Sequence, residues 1–505
     1  MAMVVEKPKR GIDAYTVDDY RPNCCCPFDN PEAVGYVMVS SMVTGIVVMA
    51  SVFLSAAILE LATRSAGCGY LYESDEDAEE LPKCNGRVYG MRPATIYYLT
   101  YTVAAVTTAL CNPLIGAVVD HTRFRKGVAA GALALLVLLV GAQVCVGRGT
   151  WALVCLLEIG VIFCLMLHSA ASAAYLPELS QSQFELTRIS AHTTGFLFVT
   201  EVTFVVVVAG LGVVLFGVDG TVPTARLGQG VACVLLLYVG LHGYARLLRG
   251  RPRPVVPLRT ALKRGLTSLA ATWSEISAHH PDLRTYLIGV AFVDAAVNAY
   301  AVGAAGFVVG ELGGSGSTLA AVILCLLVVA AACSPLVNYC TAFCASRWGD
   351  EHSGVVPLKC AMAYLVATTA VAPLAFQGDN ALAFVFVFAA LWGVGFSFYY
   401  ALLRPVCFFM VPTKDANKFT GVYSLAQMVL SWAPPLSLSL IYNSTGSLRL
   451  GFLVLAVFIV IGLACILQVD VKRGRAAVVA AAEAGEGLDD IAVVATAAVV
   501  VEGKM

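Results

Sequence analysis

The chain has 505 residues, 59% of them hydrophobic and 13% charged, with a mean hydropathy of +0.81. A soluble domain carries about a quarter charged residues, so most of this surface cannot face water. The formal net charge of −1 argues against nucleic acid as a partner.

Residues 1–34 are polar and read as a cytosolic N-terminal segment. They hold Lys7, Lys9, Arg10 and the Asp18-Asp19 pair, and no cleavable signal peptide is visible. Apolar runs then follow, each near the roughly 20 residues that cross about 30 Å of hydrocarbon. They lie near 35–62, 93–118, 127–146, 151–174, 192–216, 227–248, 284–310, 317–344, 356–376, 381–408, 418–442 and 449–468. Runs this long satisfy their backbone in lipid as helices. The expected fold class is therefore an all-α polytopic membrane protein with 12 spans.

With the amino terminus in the cytosol, the cytosolic segments collect about 25 of the 32 Lys and Arg. Both termini are then cytosolic. The first loop on the other side, 63–92, holds an acidic run flanked by Cys68 and Cys84, a candidate disulfide in an oxidising compartment. The Cys24-Cys25-Cys26 triplet beside the membrane is a weak S-acylation signal. The sequon Asn443-Ser444-Thr445 sits in a loop too short for ready glycosylation. The tail 469–505 opens on Lys472, Arg473 and Arg475, and reads as disordered or as a short amphipathic segment.

A basic connector, 249–283, separates the spans into an N-terminal set (35–248) and a C-terminal set (284–468). Cys111-Asn112-Pro113-Leu114-Ile115 is echoed by Cys333-Ser334-Pro335-Leu336-Val337, as parallel repeats would be. Two six-helix bundles around a polar passage are expected.

The sharpest motif ends the second span. Gly116 lies four residues before Asp120, and Arg123, Arg125 and Lys126 follow. Glycine lets helices approach closely, and the carboxylate and basic cluster can make contacts in one conformation that break in another. These five residues are the expected gate; a plain helix end with a basic loop is the alternative. The stretch resembles the loop between helices two and three of the major facilitator superfamily, although His121 departs from the broad pattern. Its Asp120-His121 to Arg125-Lys126 form is more similar to the autophagy-related vacuole effluxers. Leu59-Glu60-Leu61-Ala62, Tyr175-Leu176-Pro177-Glu178-Leu179 and the Phe419–Ser424 and Pro434-Pro435 stretches point the same way. The opening of helix one, Gly35-Tyr36-Val37-Met38, lacks that family's aromatic richness. The resemblance implies efflux of neutral amino acids from a vacuole-like compartment to the cytosol during autophagy.

Charges inside spans are costly and tend to face cavities. Asp294 with Asn298 one turn on, Glu201, and Glu158 are the expected substrate or proton path, together with Tyr423 and Gln427 on a polar stripe of the eleventh span. If a proton drives transport, Asp294 or Glu201 is its expected carrier. His168 and Glu158 also admit purely structural roles, Tyr97 and Tyr101 read as interfacial tyrosines, and Glu60 reads as solvated. Pro434-Pro435 predicts a break in its helix.

No catalytic motif, Walker loop or metal-ligand spacing appears in the sequence, so neither enzyme activity nor a cofactor or metal is expected. The expected partners are the bilayer, a small molecule and protons. Other small solutes (sugar, lipid or organic anion) and a transport-dead receptor remain the alternatives.

Overall fold

The computed structural model describes residues 31–68, 86–121, 125–173, 175, 179, 183–218, 220–244, 258–349, 352–378, 380–411 and 416–478. Among them, 12 helices are long and apolar enough to cross a membrane. Numbered in chain order, spans 1 to 6 are Glu32–Ser65, Pro93–Leu114, Lys126–Gln143, Trp151–Ser172, His192–Phe216 and Thr221–His242. Spans 7 to 12 are Pro281–Glu311, Gly316–Trp348, Val355–Ala375, Ala381–Phe409, Gly421–Thr445 and Arg449–Leu467.

The same packing scheme occurs twice. In the first half span 1 packs on 5 and 6, span 4 on 2 and 3, and span 3 on 6; spans 7 to 12 repeat each of these pairings. Across the halves, span 2 meets span 11 and span 5 meets span 8, again a symmetric pair. The proline echo fits this duplication, since Pro113 and Pro335 both lie inside their helices, spans 2 and 8. Glycines permit the tightest approaches. A Cβ on Gly289 of span 7 would stand 3.0 Å from the Gly462 carbonyl of span 12, the small-residue contact that brings membrane helices together.

Several elements depart from expectation. Span 6 starts at Thr221, earlier than its hydropathy suggests, because Thr221, Arg226 and Gln229 dilute the apolar signal. Arg226 is accommodated by donating from Nε to the Val146 carbonyl at 2.7 Å. The connector contains a helix, Leu258–His279, that packs against spans 2, 7 and 11. Span 7 accordingly begins at Pro281, in the first helical turn where proline costs no hydrogen bond. Span 11 is interrupted: one helix ends at Val429, the next starts at Ala433, and Pro434-Pro435 fill its first turn. Glu60 is buried rather than solvated, because Arg64 one turn on pairs with it at 2.7 Å.

Beyond span 12, residues 471–478 form one more helix. Arg473 grips Asp282 at the start of span 7 with two hydrogen bonds of 2.7 Å, a bidentate fork. Cys68 is disulfide-bonded; Cys84 and the Cys24–Cys26 triplet lie outside the described residues.

Candidate functional site

The buried carboxylates fall into two kinds of surroundings. Glu158 of span 4 is enclosed and answered. Gln143 of span 3 donates from Nε2 to Glu158 Oε2 at 2.7 Å, and the Tyr101 hydroxyl of span 2 points to Oε1 at 3.5 Å. Ser51 of span 1 hydrogen-bonds the same carboxyl. Tyr97 is buried and packs edge-on to Tyr101 at 5.0 Å, so these two tyrosines wall the cluster rather than anchor an interface. His168 is likewise satisfied. Its ring nitrogens meet the Ala129 and Val39 carbonyls at 3.3 and 3.1 Å, and the Tyr244 hydroxyl at 3.2 Å. Val39 lies in a π-helical turn of span 1, Met38–Met42, whose Ser41 hydroxyl donates to the Thr193 carbonyl of span 5 at 2.7 Å. Such turns free backbone acceptors and concentrate at functional sites.

Asp294 of span 7 is 2% exposed. The Tyr399 hydroxyl of span 10 donates to its Oδ1 at 2.6 Å, and Gln427 of span 11 stands at the same carboxyl. Its Oδ2 is buried without a hydrogen-bond partner. Tyr423 joins this cluster through Arg404, whose guanidinium lies 5.9 Å over the Tyr423 ring and acts electrostatically on Asp294. Asn298, one turn beyond Asp294, is exposed and does not belong to the buried cluster.

Arg404 was absent from the expected path, although the rule that flagged the carboxylates applies to it equally. It lies inside span 10 and hydrogen-bonds both Tyr423 of span 11 and Tyr36 of span 1, so it ties the two halves together. Glu201 of span 5, 7% exposed, faces span 1, where a Cβ on Gly45 would come within 3.2 Å of its Cγ. Tyr400 of span 10 lies within electrostatic reach of both Glu201 and Asp294.

On the face that carries the 66–92 loop the halves are sealed together. Arg92 lies 5.7 Å over the Tyr442 ring, and its backbone N–H points at the Asn443 side-chain oxygen at 3.5 Å. A Cβ on Gly306 of span 7 would collide with the Tyr98 hydroxyl of span 2, so glycine is required there. Gly316 N–H donates to Thr221 Oγ1 at 3.3 Å, and the Ser317 hydroxyl donates to the Val218 carbonyl at 3.1 Å. Glu311 sits behind this seal, paired with Arg449 at 3.2 Å. Of the expected gate, the side chains of Gly116, Asp120 and Arg125 and all of Arg123 lie outside the described residues. The helix of span 2 continues to His121, and Lys126 is half-buried.

Twin six-helix bundles with a charged cluster between them are the architecture of major facilitator transporters. Residues 185–479, more than half of the chain, match the family described as vacuole effluxer Atg22 like. The chain belongs to the Atg22-like family. A solved structure, the human organic anion transporter MFSD10 (TETRAN), superposes with a TM-score of 0.51 at 14% identity, covering 86% of this chain and 99% of that one. At that identity the likeness speaks for the fold, which this Atg22-like chain shares. No curated protein matches the chain in a sequence search. Family and fold are those of a multi-pass membrane transporter, not of an enzyme. Among the described residues no cluster of three or more metal-ligating side chains is found.

Proposed function

We propose that this Atg22-like protein is a secondary transporter that moves neutral amino acids out of a vacuole-like compartment into the cytosol by alternating access. The observation that carries this reading is that buried Asp294 lies within electrostatic reach of Arg404, which itself bonds Tyr36 of the other half. An acid and a base within such reach suit the ammonium and carboxylate ends of a zwitterion. Tyr423 and Gln427 line the space around them, and Arg404 in its present bonds to Tyr36 and Tyr423 holds the place that a solute carboxylate would take. The family description supports a vacuolar setting. The seal around Arg92 and Gly306 fits a state closed towards the lumen, and the gate proposed at Gly116, Asp120, Arg123, Arg125 and Lys126 would close the opposite face. Both termini and the connector then lie in the cytosol, with the connector helix joining the bundles.

A second reading, an organic anion carrier, is favoured by Arg404 as a buried guanidinium and by the name of the superposed transporter. Uptake into proteoliposomes of purified protein separates the two. Labelled neutral amino acids should enter, and Asp294→Asn should abolish their pH-dependent uptake, because the ammonium partner is lost. Uptake of organic anions alone, indifferent to Asp294→Asn, would sink the amino-acid reading.

A further inference from the structure

We propose that the gate on the face of the 66–92 loop is a glycine seam, in which a π-turn of span 7 receives Ala94 and Tyr98 of span 2 and releases them in each transport cycle. The proposal rests on the transporter reading and names the residues whose separation opens the sealed face.

The first observation is a mated pair of surfaces. Gly306–Glu311 of span 7 form a π-turn, and the Leu312 N–H continues it by donating to the Phe307 carbonyl at 3.0 Å. Gly306 and Gly310 share a face of that turn, as Ala94 and Tyr98 share a face of span 2. The two spans run in opposite directions, so Ala94 meets Gly310 and Tyr98 meets Gly306. A Cβ on Gly310 would stand 3.6 Å from the Ala94 Cβ, and one on Gly306 would overlap the Tyr98 hydroxyl. Ala94 and Tyr98 are both buried. Small residues thus bring helices of different bundles into direct contact.

The second observation is that the socket is fixed on its own side. Phe307 stacks on Phe376, just past span 9, at 5.0 Å and meets Phe452 of span 12 edge-on at 5.6 Å. Glu311 holds the far end of the turn. Its carboxylate accepts from the Ser447 hydroxyl at 3.2 Å and from the Leu448 N–H, beside its ion pair with Arg449. The Gly314 N–H returns to the Val308 carbonyl at 2.8 Å. The π-turn is therefore built into the C-terminal bundle and moves with it.

The third observation is that the seam itself is weakly held. The Tyr98 hydroxyl is buried and has no hydrogen-bond partner. The hydrogen bonds described across the same face are 3.1, 3.3 and 3.5 Å long, against 2.8 and 3.0 Å at the turn. A buried hydroxyl without a partner costs free energy that is recovered once water reaches it. The Tyr98 ring fills the socket while its hydroxyl favours leaving. A permanent joint would satisfy that oxygen, whereas a seal that opens in every cycle gains from the opposing tendencies. The π-turn fits the same role, since such turns concentrate at functional sites.

The test uses full-length protein in proteoliposomes with labelled alanine as the probe. Ala94→Cys combined with Gly310→Cys places two thiols at the 3.6 Å Cβ separation that a disulfide spans. Oxidation should link them, as read by mass spectrometry of the joined peptides. Alanine exchange should then fall by an order of magnitude or more and return with reductant. Wild-type protein and each single variant, taken through the same steps, should be unaffected, which separates this bond from the one at Cys68. Tyr98→Phe keeps the ring and removes the lone hydroxyl, so Tm should rise while exchange slows several-fold. Full-rate exchange by the linked protein, or failure of the two cysteines to link, would overturn the seam and leave the transporter reading standing. If wild-type protein exchanges no alanine, the amino-acid reading fails and backbone amide exchange decides the seam. The disulfide should slow deuterium uptake several-fold at 94–101 and 306–314, and unchanged uptake there would overturn it.

Discussion

Glu158 and Glu201 are the same residue, both buried in the N-terminal half, yet their surroundings differ in kind. Every side of Glu158 is met by a donor, with Gln143 at 2.7 Å and Tyr101 and Ser51 beside it. Glu201 faces the glycine of span 1, and no donor among the described residues hydrogen-bonds its carboxyl. Burial alone therefore does not identify a working carboxylate. An answered carboxylate braces four helices of one bundle, and an unanswered one keeps its capacity for a mobile partner.

Four substitutions sharpen or break that comparison through stability, measured as Tm and chemical denaturation in detergent. Gln143→Leu should have the largest effect, because it strips the short donor from Glu158 and leaves a carboxylate oxygen bare. A loss of about 1–3 kcal/mol is expected. Glu158→Gln should cost less, about 1 kcal/mol, since one amide donor then faces another while the volume is kept. Tyr101→Phe should be mildest, about 0.5 kcal/mol, because its bond is long and its ring still packs on Tyr97. Glu201→Gln, by contrast, should leave stability near wild type. If it costs as much as Gln143→Leu, the two carboxyls are alike and burial without a donor does not mark a working group.

Much of the architecture was legible from the residues in order. The bilayer imposes a length and a polarity on every span, so apolar runs such as 381–408 and 449–468 predict helices within a few residues of their observed ends. The Cys-Asn-Pro and Cys-Ser-Pro echo carries the duplication that the packing displays twice. The break in span 11 was visible in Pro434-Pro435. The connector helix is hidden from hydropathy because basic residues interrupt its apolar positions. Leu258, Leu262, Leu266, Leu269, Trp273 and Ile276 recur at three- and four-residue intervals, a helical period that could have found it. Arg404 was missed for a different reason. It lies inside its span, only five residues from the end, and its bonds to Tyr36 and Tyr423 are what give it a part beyond topology.

The sequence by itself determined which stretches enter the membrane, that they come in two related sets, and which few charges go with them. These properties depend on local composition and on the cost of polar groups in hydrocarbon. Tertiary structure alone decided which of those charges are answered. Gln143 reaches Glu158 from another helix, Tyr399 reaches Asp294 across 105 residues of chain, and among the described residues no hydrogen bond reaches Glu201, because hydrogen-bond partners in a bundle are chosen by packing and not by distance along the chain.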